Sequence, residues 1–349
     1  MKTRLLILLV PLALVALLAA GCGGGGGGGN GNVPNDSVAS VGGTPITKST
    51  FNALMAVAFA KYKAQGQAAP KVGTPAYTQL RDQAVSFLVQ EDELQQEGKK
   101  LGVTVTQKDV DARLAQIKKS YGTKKFAAAL KGAHITVPQY EQYSLEPTLL
   151  GEKLQNKVTS DVKISKSAAK KYYDQNKQAF TTPETREVRH ILVNSKSLAQ
   201  QIETKLKNGQ DFATLAKKYS KDTTSAKVGG KLCVAHGGSS GACQQTVPPF
   251  DKASFSLKTN EISQPVKSVY GYHIIQALTA IKPSHTQTFS QVASQIQLNL
   301  AQQKKQVAWS NWLAKVKKDY AKKVSYQSGY APATTSTTPT VSTPATTTG

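Results

Sequence analysis

The sequence predicts an α+β chain in which helical segments flank a small sheet. Three observations predict it. Val188-Arg189-His190-Ile191-Leu192-Val193 and Tyr270-Gly271-Tyr272-His273-Ile274-Ile275 are short apolar, β-branched runs that read as buried strands, each carrying a histidine. Upstream, Leu80, Ala84, Phe87, Leu88 and Leu94 form one stripe at helical spacing, and Val110, Leu114, Ile117 and Tyr121 form another. Downstream, Phe289, Val292, Ile296, Leu300, Val307, Trp312, Leu313, Val316 and Tyr320 continue at helical spacing across 288–322.

The chain opens with Lys2 and Arg4 ahead of an apolar run from Leu5 to Leu18, broken only by Pro11. This reads as a secretory signal over residues 1–21, too short for a stable membrane span. Ala19-Ala20-Gly21 before Cys22 resembles a lipobox, which implies a lipidated Cys22 as the new N-terminus. It departs from the usual pattern in having Ala19 where leucine is commoner, with Leu18 one place early. An ordinary signal with an unmodified Cys22 is the alternative. Seven glycines at 23–29 begin a flexible tether over 22–35, and a membrane-anchored, exported protein is expected.

The formal charge is +23, much of it in lysine doublets such as Lys118-Lys119 and Lys317-Lys318 on predicted helices. Such doublets usually form solvated faces. Export excludes nucleic acid as a partner, so the functional reading of the charge is attraction to anionic lipid headgroups or cell-wall polymers. Residues 331–349 are mostly Thr, Ser, Pro and Ala, and without an apolar face they are expected to be disordered.

Val38 to Val41, Gly42-Gly43 and Thr44-Pro45-Ile46 read as a tight hairpin. Helical patterns follow from Thr47, with further stretches at 138–158 and 166–178. A striped helix as long as 288–322 is not stable alone in water and needs a partner surface.

Between the two histidine strands lie Asp211 to Ala216, Tyr219-Ser220-Lys221-Asp222, Gly229-Gly230 and Pro249-Phe250-Asp251-Lys252-Ala253-Ser254-Phe255. In this order, across about 183–282, the segments resemble the parvulin (PpiC) family of peptidyl-prolyl cis/trans isomerases. The resemblance implies an antiparallel sheet flanked by helices. Region 36–180 in turn resembles the N-terminal chaperone segment of the SurA and PrsA foldases. That pattern implies that a C-terminal helix within 284–325 folds back onto the N-terminal helices, with the parvulin domain inserted between.

Rotation about an X-Pro bond faces a barrier of about 18–20 kcal/mol set by amide resonance. No bond is made or broken, so the reaction needs no metal, cofactor or nucleophile. An isomerase holds the proline ring in an apolar pocket and binds the twisted amide more tightly than either planar form. The resemblance assigns His190 and His273 to a hydrogen-bonded cluster under the substrate amide. The acidic or thiol neighbour of the family falls on Asp222 or Thr223, depending on the direction of counting. Asp222 is the better chemical fit, because a carboxylate orients an imidazole tautomer. Ser268 matches the small hydroxyl residue before the second histidine strand. A purely structural role for the two histidines is the competing reading.

The implied proline pocket is Leu232, Thr246 and Phe250. Thr246 stands where the family usually has methionine, which makes the pocket smaller and more polar. Two further departures are Gly230-Lys231-Leu232-Cys233, where the family has Gly-Asp-Leu-Gly, and the glycine-rich loop from His236 to Ala242. Cys233 and Cys243 flank that loop, and in an oxidising compartment a disulfide between them is expected. The alternative, a metal held with His236, lacks a fourth ligand. Two functions follow as expectations: a lipid-anchored foldase isomerising X-Pro bonds in nascent or unfolded secreted polypeptides, or a non-catalytic holdase using the parvulin domain to bind peptides.

Overall fold

In a computed structural model of the chain, residues 33–333 are described. The signal segment, Cys22, most of the glycine tether and the tail from residue 334 lie outside the described residues. In chain order the elements are strands β1 (Ser37–Val41) and β2 (Thr44–Thr47), then helices α1 (Lys48–Ala64), α2 (Pro75–Lys100), α3 (Gln107–Tyr121) and α4 (Thr123–Gly132). The short α5 (Val137–Tyr140) runs through a π-turn into α6 (Glu146–Val158). After α7 (Lys166–Gln175) come β3 (Thr181–Thr182), β4 (Thr185–Val193), α8 (Lys196–Lys207), α9 (Phe212–Tyr219) and α10 (Thr223–Ala226). Next are β5 (Lys231–Ala235), α11 (Pro248–Ser256), β6 (Val266–Ser268), β7 (Gly271–Ala277) and β8 (His285–Thr286). The chain closes with the long α12 (Phe289–Tyr320) and β9 (Val324–Tyr326).

The chain forms two compact units, one from residues up to Val162 and from Gln302 onward, the other Lys163–Ala301. In the first, the predicted hairpin is present, and β9 pairs antiparallel with β1, so the sheet order is β2-β1-β9. Helices start where side chains can take up orphan amides: Thr47 caps α1, and Thr106 with Asp109 forms a capping box on α3. The stripes read from the sequence bury together, with Ala84 and Leu88 of α2, Val110 and Leu114 of α3 and Phe126 of α4 in one core. Val316 and Tyr320 of α12 join that core, and Trp309 packs with Leu94, Leu150 and Leu154.

The second unit begins earlier than the expected domain limit at residue 180. Helix α7 belongs to it, because Ala169 and Tyr173 bury against Val292 and Ile296 from the first part of α12. Tyr173 Oη also donates to the Gln287 carbonyl at 2.7 Å, and Gln297 Nε2 to that of Ile164 at 2.9 Å. Val307, expected in the α12 stripe, is instead 59% exposed. The reason is rotational phase. Leu300 ends one stripe and Trp309 begins the next. Nine residues at about 100° each place the second stripe half a turn from the first. Val307 keeps the phase of a stripe that has already ended.

The sheet that carries the histidines has the order β5-β4-β7-β6, antiparallel throughout. Period-two alternation gives it two faces. Ile191, Val193 and Ile274 point to one, against Ile202, Phe212 and Leu215 of α8 and α9. Val188, Val234 and Ile275 point to the other, where they pack on Phe250 of α11.

Candidate active site

His190 lies opposite Ile275 and His273 opposite Leu192 in the β4–β7 register, so the two histidines are diagonal neighbours on the α11 face. Both are buried, at 5% and 4% exposure. Two glycines let the backbone come close enough to hold them. At Gly230 (φ +82°) a Cβ would collide with the His190 carbonyl oxygen, and the Gly230 carbonyl accepts from His190 N–H at 2.9 Å. At Gly271 (φ +135°) a Cβ would strike the Val193 carbonyl oxygen beside the His273 strand.

Asp222 is delivered by a clip on β4. Ser220 Oγ accepts from Leu192 N–H at 3.1 Å, and Lys221 N–H donates to the Leu192 carbonyl at 2.8 Å. The carboxylate then caps α10, accepting from Thr224 N–H at 3.1 Å and Ser225 N–H at 3.3 Å through Oδ1. Its Oδ2 takes the Ser225 hydroxyl at 2.6 Å and meets His190 Nε2 at 2.8 Å. Thr223 opens the same helix, and among the described residues no hydrogen bond joins its side chain to either imidazole. Of the two counting alternatives, the contact falls to Asp222.

Proton positions follow from the acceptor at one end. Burial alone would raise Asp222, but hydrogen bonds from Ser225 and His190 outweigh it and hold the carboxyl at about 2. As an ionised acceptor it requires the proton of His190 on Nε2. Burial lowers His190 against the opposing pull of Asp222, and it lowers His273 to about 4, with His190 pushing the same way. Neutral His190 therefore presents a lone pair at Nδ1 to His273 Nδ1–H, 3.4 Å away. His273 Nε2 is left to accept from the Ser268 hydroxyl at 2.7 Å, and Ser268 Oγ accepts in turn from Tyr270 N–H at 3.1 Å. Every donor points the same way, from Ser268 through both imidazoles to Asp222.

The Phe250 ring stands edge-on to both imidazoles, with centroids 5.2 Å from His190 and 5.1 Å from His273. It is only 2% exposed, and Leu232 joins its cluster, opposite Val188 on β4. Thr246 lines a cleft of about 400 Å³ with His236, Asp251 and Phe255. Its neighbour Val247 and Phe255 both pack against the cluster that holds Phe250, as Leu232 does. Cys233 and Cys243 are disulfide-bonded, with Cα atoms 4.4 Å apart.

Sequence reasoning missed Ser225 and Arg186. Ser225 could have been found from its spacing three residues after a capping Asp222. Arg186 is 2% exposed on the α11 face. Its guanidinium donates to the carbonyls of Ser254 at 2.6 Å, Leu257 at 2.8 Å and Thr279 at 2.7 Å. The C-terminal end of α11, and with it Phe250, is anchored by this one side chain.

The fold and the polar chain define a parvulin-type unit joined to a SurA-like helical unit, and comparison with known proteins gives the same class. Residues 164–294 match the PPIC-type PPIase domain, and residues 1–155 match the SurA-like N-terminal domain. The foldase protein PrsA of Caldanaerobacter subterraneus subsp. tengcongensis is 35% identical over 78% of this chain and 82% of its own length. PrsA of Clostridium botulinum strain Langeland is 35% identical over 70% of this chain and 74% of its own. A crystal structure of PrsA from Bacillus subtilis is similar at 28% identity, covering 82% of this chain and 93% of that one, with a TM-score of 0.25. The chain belongs to the PrsA foldase family.

Proposed function

We propose that the protein is a peptidyl-prolyl cis/trans isomerase that assists the folding of secreted polypeptides, held at the extracytoplasmic face of the membrane by a lipid on Cys22. The observation that carries the enzymatic reading is the ordered chain Ser268–His273–His190–Asp222 beneath an aromatic ring, inside a PPIC-type domain. A substrate amide lying over this site meets polar groups of fixed orientation in a partly desolvated setting. Loss of amide resonance returns the lone pair to the prolyl nitrogen, making it a better hydrogen-bond acceptor, and removes double-bond character from the C–N bond; fixed dipoles favour that state without reorganising. His190, His273, Asp222 and Ser268 serve as orienting and hydrogen-bonding groups, and Leu232 and Phe250 as the apolar wall. Clients are unfolded or nascent secreted chains, recognised by an exposed X-Pro segment.

Catalysed cis/trans exchange in a proline peptide, read by NMR line exchange, tests the activity. Asp222→Ala should lower the rate while the fold persists. No catalysis by a folded wild type leaves the holdase reading. That reading is favoured by the 2% exposure of Phe250, which offers a proline ring little surface. Anchoring is tested separately. Cys22→Ser should release the protein from the membrane fraction, and retention without any lipid on the wild type would overturn it.

A further inference from the structure

The cleft that Thr246 lines borders α11 beside the Phe250 cluster, against which Phe255 packs. Phe250 and Ser254, four residues apart, face the sheet, whereas Asp251 and Phe255 form the adjoining face of the helix. His236 Nδ1 meets Asp251 Oδ2 at 2.9 Å, and its ring lies against Phe255 with centroids 4.9 Å apart. The backbone at His236 is held, since its amide N–H donates to the Glu184 carbonyl at 2.8 Å and the Cys233–Cys243 disulfide closes its loop.

Two polar atoms in this cleft stand out. Asp251 is 9% exposed, and its second oxygen, Oδ1, is buried with no hydrogen-bond partner. Thr246 Oγ1, in the same lining, is also buried and unpartnered. Buried carboxylate oxygens are rarely left without donors, because the cost is larger for a charged group than for a neutral one. Both atoms can accept; among the described residues His236 reaches Asp251 at Oδ2 alone, and Lys252 at the rim makes no ion pair with it. A flat cation with several N–H donors supplies what these acceptors lack, and Pro248 and Phe255 in the same lining suit its aliphatic stem.

We propose that this cleft is a specificity subsite that takes a basic side chain of the client, arginine before lysine, close in sequence to the bound proline. The inference rests on the reading of the second unit as a peptide-binding isomerase, and it assigns Thr246 and Asp251 to recognition.

The test uses the full exported chain and proline-containing hexapeptides identical except for one residue, which is arginine, citrulline or norvaline at each non-proline position in turn. Affinity is read by fluorescence anisotropy. At one position the arginine peptide should bind about tenfold more tightly than the norvaline peptide, with citrulline between. Asp251→Asn, which keeps the shape, should bring the ratio close to one, and Thr246→Val should reduce it. If Asp251→Asn fails to fold, Thr246→Val carries the comparison. Equal affinities in the wild type, or an arginine preference untouched by both variants, overturns the proposal. Exchange of the norvaline peptide by wild type is measured alongside. Its absence refutes the isomerase reading alone, since the arginine preference is read from binding.

Discussion

At the scale of residues, the histidine pair is held neutral by burial, and this makes the site's integrity depend on pH. The sign is set by proton uptake. Unfolded imidazoles bind protons near 6.5, while folded His273 resists until about 4. The unfolded state binds more protons in that window, so this contribution to stability is complete above about 6.5 and falls as pH drops toward 4. Asp222, held at about 2 against an ordinary 3.8, adds stability present above 3.8 that is lost as pH falls through 2. The melting temperature should therefore decline between pH 6.5 and 4. His273→Gln should flatten the decline, and an equal slope in the variant would contradict the assignment. Ser268→Ala removes the donor to His273 Nε2 and should cost about 1 kcal/mol in chemical denaturation, with a matching loss in exchange rate.

Elements carry the precision of the site, and Arg186 is the test of this. A buried guanidinium spread over three carbonyls, with no carboxylate, ties α11 to β4. Burial lowers its pKa, but it stays charged in proteins. Arg186→Met keeps much of the volume and strands those carbonyls, at about 1–3 kcal/mol for each left unsatisfied. The expected outcome is a folded unit of lower melting temperature, in which NMR shifts of Phe250 and Asp251 move together. The reasons Arg186 escaped the sequence also explain other misses. An arginine in an alternating strand reads as solvent-facing, and nothing local says that a helix end 68 residues later will accept its protons. The histidine strands were legible because alternation assigns faces without knowing the partner. The α12 stripe was legible in its two halves but not at the change of face, so Trp309 was passed over for Val307. The His236–Asp251 contact has no periodic signal, since it joins a loop to a helix.

On the scale of the whole molecule, each unit has its own core, and only one is continuous in sequence. Lys163–Ala301 holds the histidine sheet and the α7–α12 contact entirely within itself. Expressed alone, it should fold, with dispersed NMR spectra and a cooperative melt. Removing everything beyond Ala301 should unfold the other unit, because it strips Trp309, Val316, Tyr320 and β9 from buried positions. A truncated chain that kept both transitions in calorimetry would refute the division.

The pairing of β1 with β9 also sets a schedule. Residue 39 lies beside residue 326, so the whole of the inserted unit must emerge before the first strand can meet this neighbour. Until then β1 presents an unpaired row of backbone amides and carbonyls, the kind of template on which chains stack. The inserted unit has every partner it needs well before that moment. A protein whose family helps others to fold thus has a birth order of its own, in which the interrupting segment matures first. The segment it interrupts stays dependent on β9, which emerges only after the insertion has passed.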